Sequence, residues 1–141
     1  MSNKRFKPLV DKLYLLMLIP TALIMLTVNA LPIFYPTTLG LFIIIPTDLL
    51  VVYFFVSPLF GYVELGENSM LVKYGFFLKR EIPYVKIRSL EKVSKFYSES
   101  MMSLKNAFEH VDIRYNTFDV TSVSVVGNDE LISELEMILK P

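Results

Sequence analysis

The sequence predicts a membrane-anchored α+β protein. An N-terminal transmembrane α-helical hairpin leads into one small domain of about seven antiparallel strands, a curved sheet or barrel closed by a C-terminal amphipathic helix. Three observations predict it. From Leu13 to Val63 the only charged side chain is Asp48. Past Gly61 the helix-length apolar runs give way to short alternating segments separated by turn clusters. At the end of the chain the apolar residues return to helical spacing.

Composition agrees. The chain has 141 residues, 53% of them hydrophobic and 20% charged, with mean hydropathy +0.49. That is apolar for a wholly water-soluble domain. Formal net charge is zero, so no global charge points to a polyanion and no nucleic-acid partner is expected. There is no cysteine, which excludes disulfides, thiolate metal sites and thiol nucleophiles.

Residues 1–12 form a basic N-terminus in which Lys4, Arg5, Lys7 and Lys12 stand against Asp11. Such a segment stays on the cytoplasmic side of a following span. A bilayer crossing takes about 20 apolar residues, so the uncharged run crosses twice: residues 13–31 make the first helix and 39–60 the second. Residues 32–38, with Pro32 and Pro36, make an extracytoplasmic turn free of Lys and Arg. A cleaved signal peptide ending near Val28-Asn29-Ala30 is the competing reading, but the apolar region is long for one and Leu31-Pro32 is a poor sequel to a cleavage site. The second span returns the chain to the cytoplasm, where 61–141 form the domain. Pro20 and Pro46 are tolerated within spans where neighbours satisfy the freed carbonyls.

Asp48 is the exception in the hairpin. A mid-membrane carboxylate costs about 2.5–3.5 kcal/mol on insertion scales, so it is expected to face protein or water. One reading makes it an intramembrane contact to another membrane protein or a second copy; the other satisfies it within the hairpin through hydroxyls in the region of Thr21 to Thr27.

In the domain, Tyr62–Leu65, a turn at 66–69 and Met70–Tyr74 read as a hairpin, followed by strands over 76–82 and 84–93 and a polar loop over 95–103. Val85 and Ile87 are placed on one face, Lys86 and Arg88 on the other. Residues 110–115 alternate, with Val111, Ile113 and Tyr115 inward and His110, Asp112 and Arg114 outward. Residues 118–126 make a further strand, with Asp119 opposite Asp112. Asn128 is expected to cap a helix over 129–140, where Leu131, Ile132, Leu135, Ile138 and Leu139 share one face.

These motifs, in this order, resemble a family. Tyr62-Val63-Glu64-Leu65, then Leu71–Gly75, then Ile82–Leu90 with Ile82-Pro83 and Lys86-Ile87-Arg88-Ser89-Leu90, and finally Ser100–Leu104 and Ile113-Arg114-Tyr115, look like the bacterial PH-like domains that follow an N-terminal membrane hairpin. Met101-Met102 depart from the family's small and aliphatic pair. The best-understood relatives are bacteriocin immunity proteins of the sublancin type. The resemblance implies self-protection against a secreted antimicrobial peptide by binding, with the bacteriocin or its membrane target as partner; a membrane-tethered adaptor is the alternative.

The residue chemistry also reads as non-enzymatic. The single histidine, His110, is placed on a solvent face, no acidic or histidine cluster has metal-ligand spacing, and no cofactor is expected. The one charge concentration is Lys79, Arg80, Lys86, Arg88, Lys92 and Lys95 against Glu81 and Glu91. It is a candidate contact for a partner or for anionic headgroups, at about 1 kcal/mol per basic residue. From Val63 onward ten basic residues face twelve acidic ones, net −2, so that concentration is local.

Overall fold

The computed structural model describes residues 4–35 and 37–140. Helix α1 (Lys12–Phe34) and helix α2 (Thr38–Val56) are each long and apolar enough to cross a membrane, with mean hydropathy of 2.0 and 2.1. Almost nothing of either is buried by the protein itself. They run antiparallel. At the base the Tyr14 hydroxyl donates to Phe55 O at 3.0 Å and the two rings meet edge to face. Helix α1 passes through Pro20 and continues through Pro32 to Phe34, three residues beyond the expected end. The interhelical turn is correspondingly shorter than 32–38, and its Pro36 lies outside the described residues. A 3-10 turn, Ser57–Phe60, completes the second helix.

The domain is a sandwich of two four-stranded sheets with a C-terminal helix. The first sheet has the order β1-β2-β3-β4, built from Lys4–Phe6, Tyr62–Leu65, Ser69–Lys73 and Lys79–Pro83. The second has the order β5-β7-β8-β6, from Ile87–Ser94, Glu109–Tyr115, Asp119–Val123 and Ser103–Leu104, with β6 parallel to β8. The expected plan of two apolar helices and a domain of about seven strands closed by a helix holds; eight strands occur among the described residues, and one pair, β6 with β8, is parallel where all were expected antiparallel.

The extra strand lies ahead of the hairpin. Lys4, Arg5 and Phe6 pair with Leu65, Glu64 and Val63. The N-terminus is therefore part of the sandwich and not a tail beside it. Phe6 enters the core, Arg5 bonds Glu64 at 2.7 Å, and Lys4 reaches Glu130 and Glu134 at 2.7 and 2.6 Å. The next residues cross to the second sheet, where Leu9 N donates to Ser124 O and Val126 N to Lys7 O. One short segment thus stitches both sheets together before entering α1.

Helix α3 (Asn128–Leu139) buries Leu131 and Leu135 against a core that includes Val63, Val72, Ile82, Val111 and Ile113. Ile132 and Leu139 pack at its edge, while Ile138 is exposed. Asn128 is not the cap. Gly127 holds that place at φ 90°, and the Asn128 carboxamide turns back to accept from Val125 N at 2.9 Å.

Three other expectations are corrected. The strand placed at 76–82 begins only at Lys79, because Tyr74 N donates to Leu78 O and closes residues 75–77 into a tight loop. Val85 does not share the face of Ile87: a 3-10 turn, Tyr84–Lys86, throws it outward to 92% exposure. Asp112 lies opposite Ser122 and Asp119 opposite Tyr115, so the two carboxylates do not face each other.

Candidate functional site

The hairpin and the domain meet at a built junction. Asp11 caps α1 through Oδ1, which accepts from Leu13 N at 2.8 Å, and its Oδ2 accepts from Phe108 N at 3.0 Å. One carboxylate therefore fastens both the helix start and the loop before β7. At α2 the buried Ser57 hydroxyl accepts from Phe76 N at 2.9 Å. A Cβ on Gly75 would stand 2.0 Å from that oxygen, so only glycine lets the loop after β3 lie so close to the helix end.

Beside this junction a cavity of about 190 Å³ opens between α2 and the sheets, lined among others by Tyr53, Phe54, Tyr74, Leu78, Met101 and Met102. A more polar recess of about 370 Å³ shares Met101 and Met102 and carries Arg80 and Phe118. Together they form a groove that is apolar where it meets α2 and charged at the other end, where Arg80 stands with Glu99 and Asp119. Its floor is ordered: the Tyr74 hydroxyl lies 2.6 Å from Thr121 Oγ1, which in turn donates to Met102 O. With the threonine proton so committed, Tyr74 is the donor, and burial raises its phenol above the ordinary value. Arg80 donates to the Tyr115 hydroxyl and feels the Asp119 charge, without a direct salt bridge among the described residues.

The six basic residues singled out in the sequence are not one free patch. Lys92 is held by Asp129 at 2.8 Å and Glu109 at 3.1 Å, and Lys95 by Glu99 at 3.7 Å. Arg80 turns into the groove. Lys79, Lys86 and Arg88 remain exposed without an ion pair among the described residues, on different elements. A further cation was missed: Lys73 lies directly opposite Lys79 across β3 and β4. The pairing register reveals it; the sequence spacing does not.

Asp48 sits within α2, half-buried and with no hydrogen-bond or ion-pair partner among the described residues. No hydroxyl of α1 bonds it among the described residues. Thr21 and Thr27 donate instead to Met17 O and Leu23 O of their own helix, at 2.8 and 2.9 Å.

His110 and Asp112 also depart from expectation, being 1% and 2% exposed rather than on a wet face. The segment between β5 and β7 folds back over that side of the second sheet. Ser98 Oγ donates to Ser122 Oγ at 2.8 Å, Ser122 Oγ donates to Asp112, and His110 Nε2 lies 3.4 Å from Asp112. His110 Nδ1 donates to Phe108 O at 2.9 Å, since a carbonyl only accepts. The hydroxyls here serve the carboxylate, and no hydrogen bond joins a serine to the His110 imidazole among the described residues. Burial also pulls the nearby Lys105 ammonium below its ordinary value, against Asp11 and Asp112. The cluster pins the covering segment to the sheet. No group of acidic or histidine side chains among the described residues has metal-binding geometry.

Comparison with known proteins gives one match. The model of a bacterial PH domain matches residues 62–138, more than half of the chain. No curated protein and no solved structure matches. The match begins at Tyr62, the first residue of β2, and so leaves out both the hairpin and the strand β1 that completes the first sheet. With the two-sheet sandwich and the closing helix α3 it makes the assignment: the chain belongs to the bacterial PH domain family.

Proposed function

We propose that this protein is a membrane-anchored binding module without catalytic activity, set in a bacterial cell membrane as a hairpin with its N-terminal strand and PH-like domain in the cytoplasm. Its specific role in this reading is self-immunity: it captures a secreted antimicrobial peptide at the membrane, or shields the membrane protein that the peptide attacks. The observation that carries the reading is the groove at the junction. Its apolar end is walled by Tyr53 and Phe54 of α2, so a partner that fills it is already in or on the bilayer. Asp48 supports the same reading, because an unpartnered carboxylate in an apolar span favours contact with another intramembrane polar group. That contact equally serves a membrane-tethered adaptor, an assembly subunit or a second copy of the chain.

The test is expression in a sensitive bacterium, measuring inhibitory concentrations for a panel of secreted antimicrobial peptides that includes sublancin. A large rise selective for one peptide is expected. Asp48→Leu is expected to abolish the rise, while Lys86→Glu/Arg88→Glu leaves it in place. No rise with any peptide removes the immunity role and leaves the adaptor.

A further inference from the structure

Between Tyr74 and Lys79 the chain makes a loop whose apolar side chains point out of the protein. Phe77 is 81% exposed and Leu78 55%. The loop is nevertheless built rather than slack. Its backbone is closed by Tyr74 N on Leu78 O at 2.8 Å and fastened to the end of α2 by Phe76 N on Ser57 Oγ. The rings lie along that helix: Phe77 stacks on Tyr53 with 6.1 Å between centroids, and Phe76 packs on Phe60 at 4.9 Å. Tyr53 is three residues inside the end of α2, about 4.5 Å along its axis at 1.5 Å per residue. The loop therefore continues the apolar surface of α2 down to the level where the domain begins.

The base of the loop carries two like charges. Lys73 and Lys79 stand directly opposite each other in the register of β3 and β4, and like charges so placed destabilise a strand pair. Neither has an ion pair among the described residues, and the Lys73 ammonium lies over the Tyr62 ring of β2, 5.7 Å from its centre. Two aromatic rings and a leucine at the tip above two lysines with no carboxylate bound to them match the layering of a membrane surface, with anionic headgroups outside and acyl chains inside.

We propose that Phe76, Phe77 and Leu78 form a wedge that enters the headgroup and acyl boundary of the bilayer beside α2, with Lys73 and Lys79 on the phosphates. The wedge fixes the orientation of the domain and holds the mouth of the groove against the membrane. This rests on the reading of α1 and α2 as membrane spans, and the test separates the two. The chain contains no tryptophan, so single substitutions report locally.

The full chain is reconstituted in vesicles containing anionic lipid, with Phe77→Trp as the probe. Phe42→Trp marks the N-terminal part of the second span and Val85→Trp the turn just beyond β4. Phe77→Trp is expected to emit to the blue of Val85→Trp, to lose emission to lipids brominated high on the acyl chain, and to resist aqueous iodide. Quenching by iodide but not by lipid overturns the wedge, as does shielding from both, which means that protein covers the loop. If Phe42→Trp is itself untouched by brominated lipid, the anchoring reading fails first; if it is quenched and Phe77→Trp is not, only the wedge fails.

Discussion

Phe6→Asp is expected to unfold the PH-like domain, although residue 6 precedes both long apolar helices and lies outside the segment that matches the family. The Phe6 ring is 4% exposed and sits in the core beside Val63. Truncating a buried phenylalanine costs about 3–5 kcal/mol, and a carboxylate left there without a partner costs more. A small domain has only about 5–15 kcal/mol in hand. The strand also carries the segment that ties both sheets, so its loss opens the sandwich on one side. Thermal unfolding of the detergent-solubilised chain checks this, with Arg5→Ala as the comparison. That pair with Glu64 is held by an exposed guanidinium, where a salt bridge adds little to stability. Equal melting of Phe6→Asp and the parent chain would mean that β1 is not part of the fold.

Gly61→Ala is the second substitution with a large expected effect. A Cβ at Gly61 would lie 2.4 Å from Leu104 Cδ1, 2.6 Å from Lys73 O and 3.2 Å from Pro58 O. Leu104 is fully buried, and the Lys73 carbonyl belongs to β3, where Lys73 is registered with Tyr62. The methyl can be admitted only by moving backbone. Overpacking of this kind costs about 1–3 kcal/mol, and two backbone oxygens among the obstacles put it at the upper end. For a domain of this size roughly 3 kcal/mol lowers Tm on the order of 10–20 °C. Gly61 is also where the hairpin hands over to the domain, so the variant loosens the wall of the groove as well as the sheet. A melt unchanged from the parent chain would contradict the packing described at that joint.

Much of the fold is legible because the signals are local. The turn at 66–68 between two alternating runs marks β2 and β3, and Leu131 and Leu135 mark the buried face of α3 by their spacing. Strand β1 has no such signal. Three residues, Lys-Arg-Phe, show no period, and their partners Leu65, Glu64 and Val63 lie beyond the whole hairpin. Pairing at that separation leaves no mark in any short window. His110 and Asp112 were misplaced because alternation assumes one wet face. The segment covering β7 is itself polar, using Ser98 and a chain of hydroxyls, so its composition looks like that of an ordinary surface loop.

The candidate site was legible only in part, for a related reason. Nearness in sequence of Lys79 through Lys95 says nothing of where their counter-charges fall, and Asp129 and Glu109 neutralise Lys92 from other elements. Lys73 gained its place only from the register. The groove needed tertiary contact between α2 and the Met101-Met102 segment. Asp48 was visible at once as a lone charge, and the structure sharpens it by committing Thr21 and Thr27 elsewhere.

The central claim is that a membrane hairpin leaves and re-enters one folded unit, so that β1 and the PH-like domain share the cytoplasmic face. Because the chain has no cysteine, single substitutions Thr37→Cys at the hairpin turn and Val85→Cys on the domain read the topology in intact cells with a membrane-impermeant maleimide. The account predicts labelling of Thr37→Cys in intact cells and of Val85→Cys only after the membrane is broken. Labelling of Val85→Cys in intact cells would place the domain outside and contradict it.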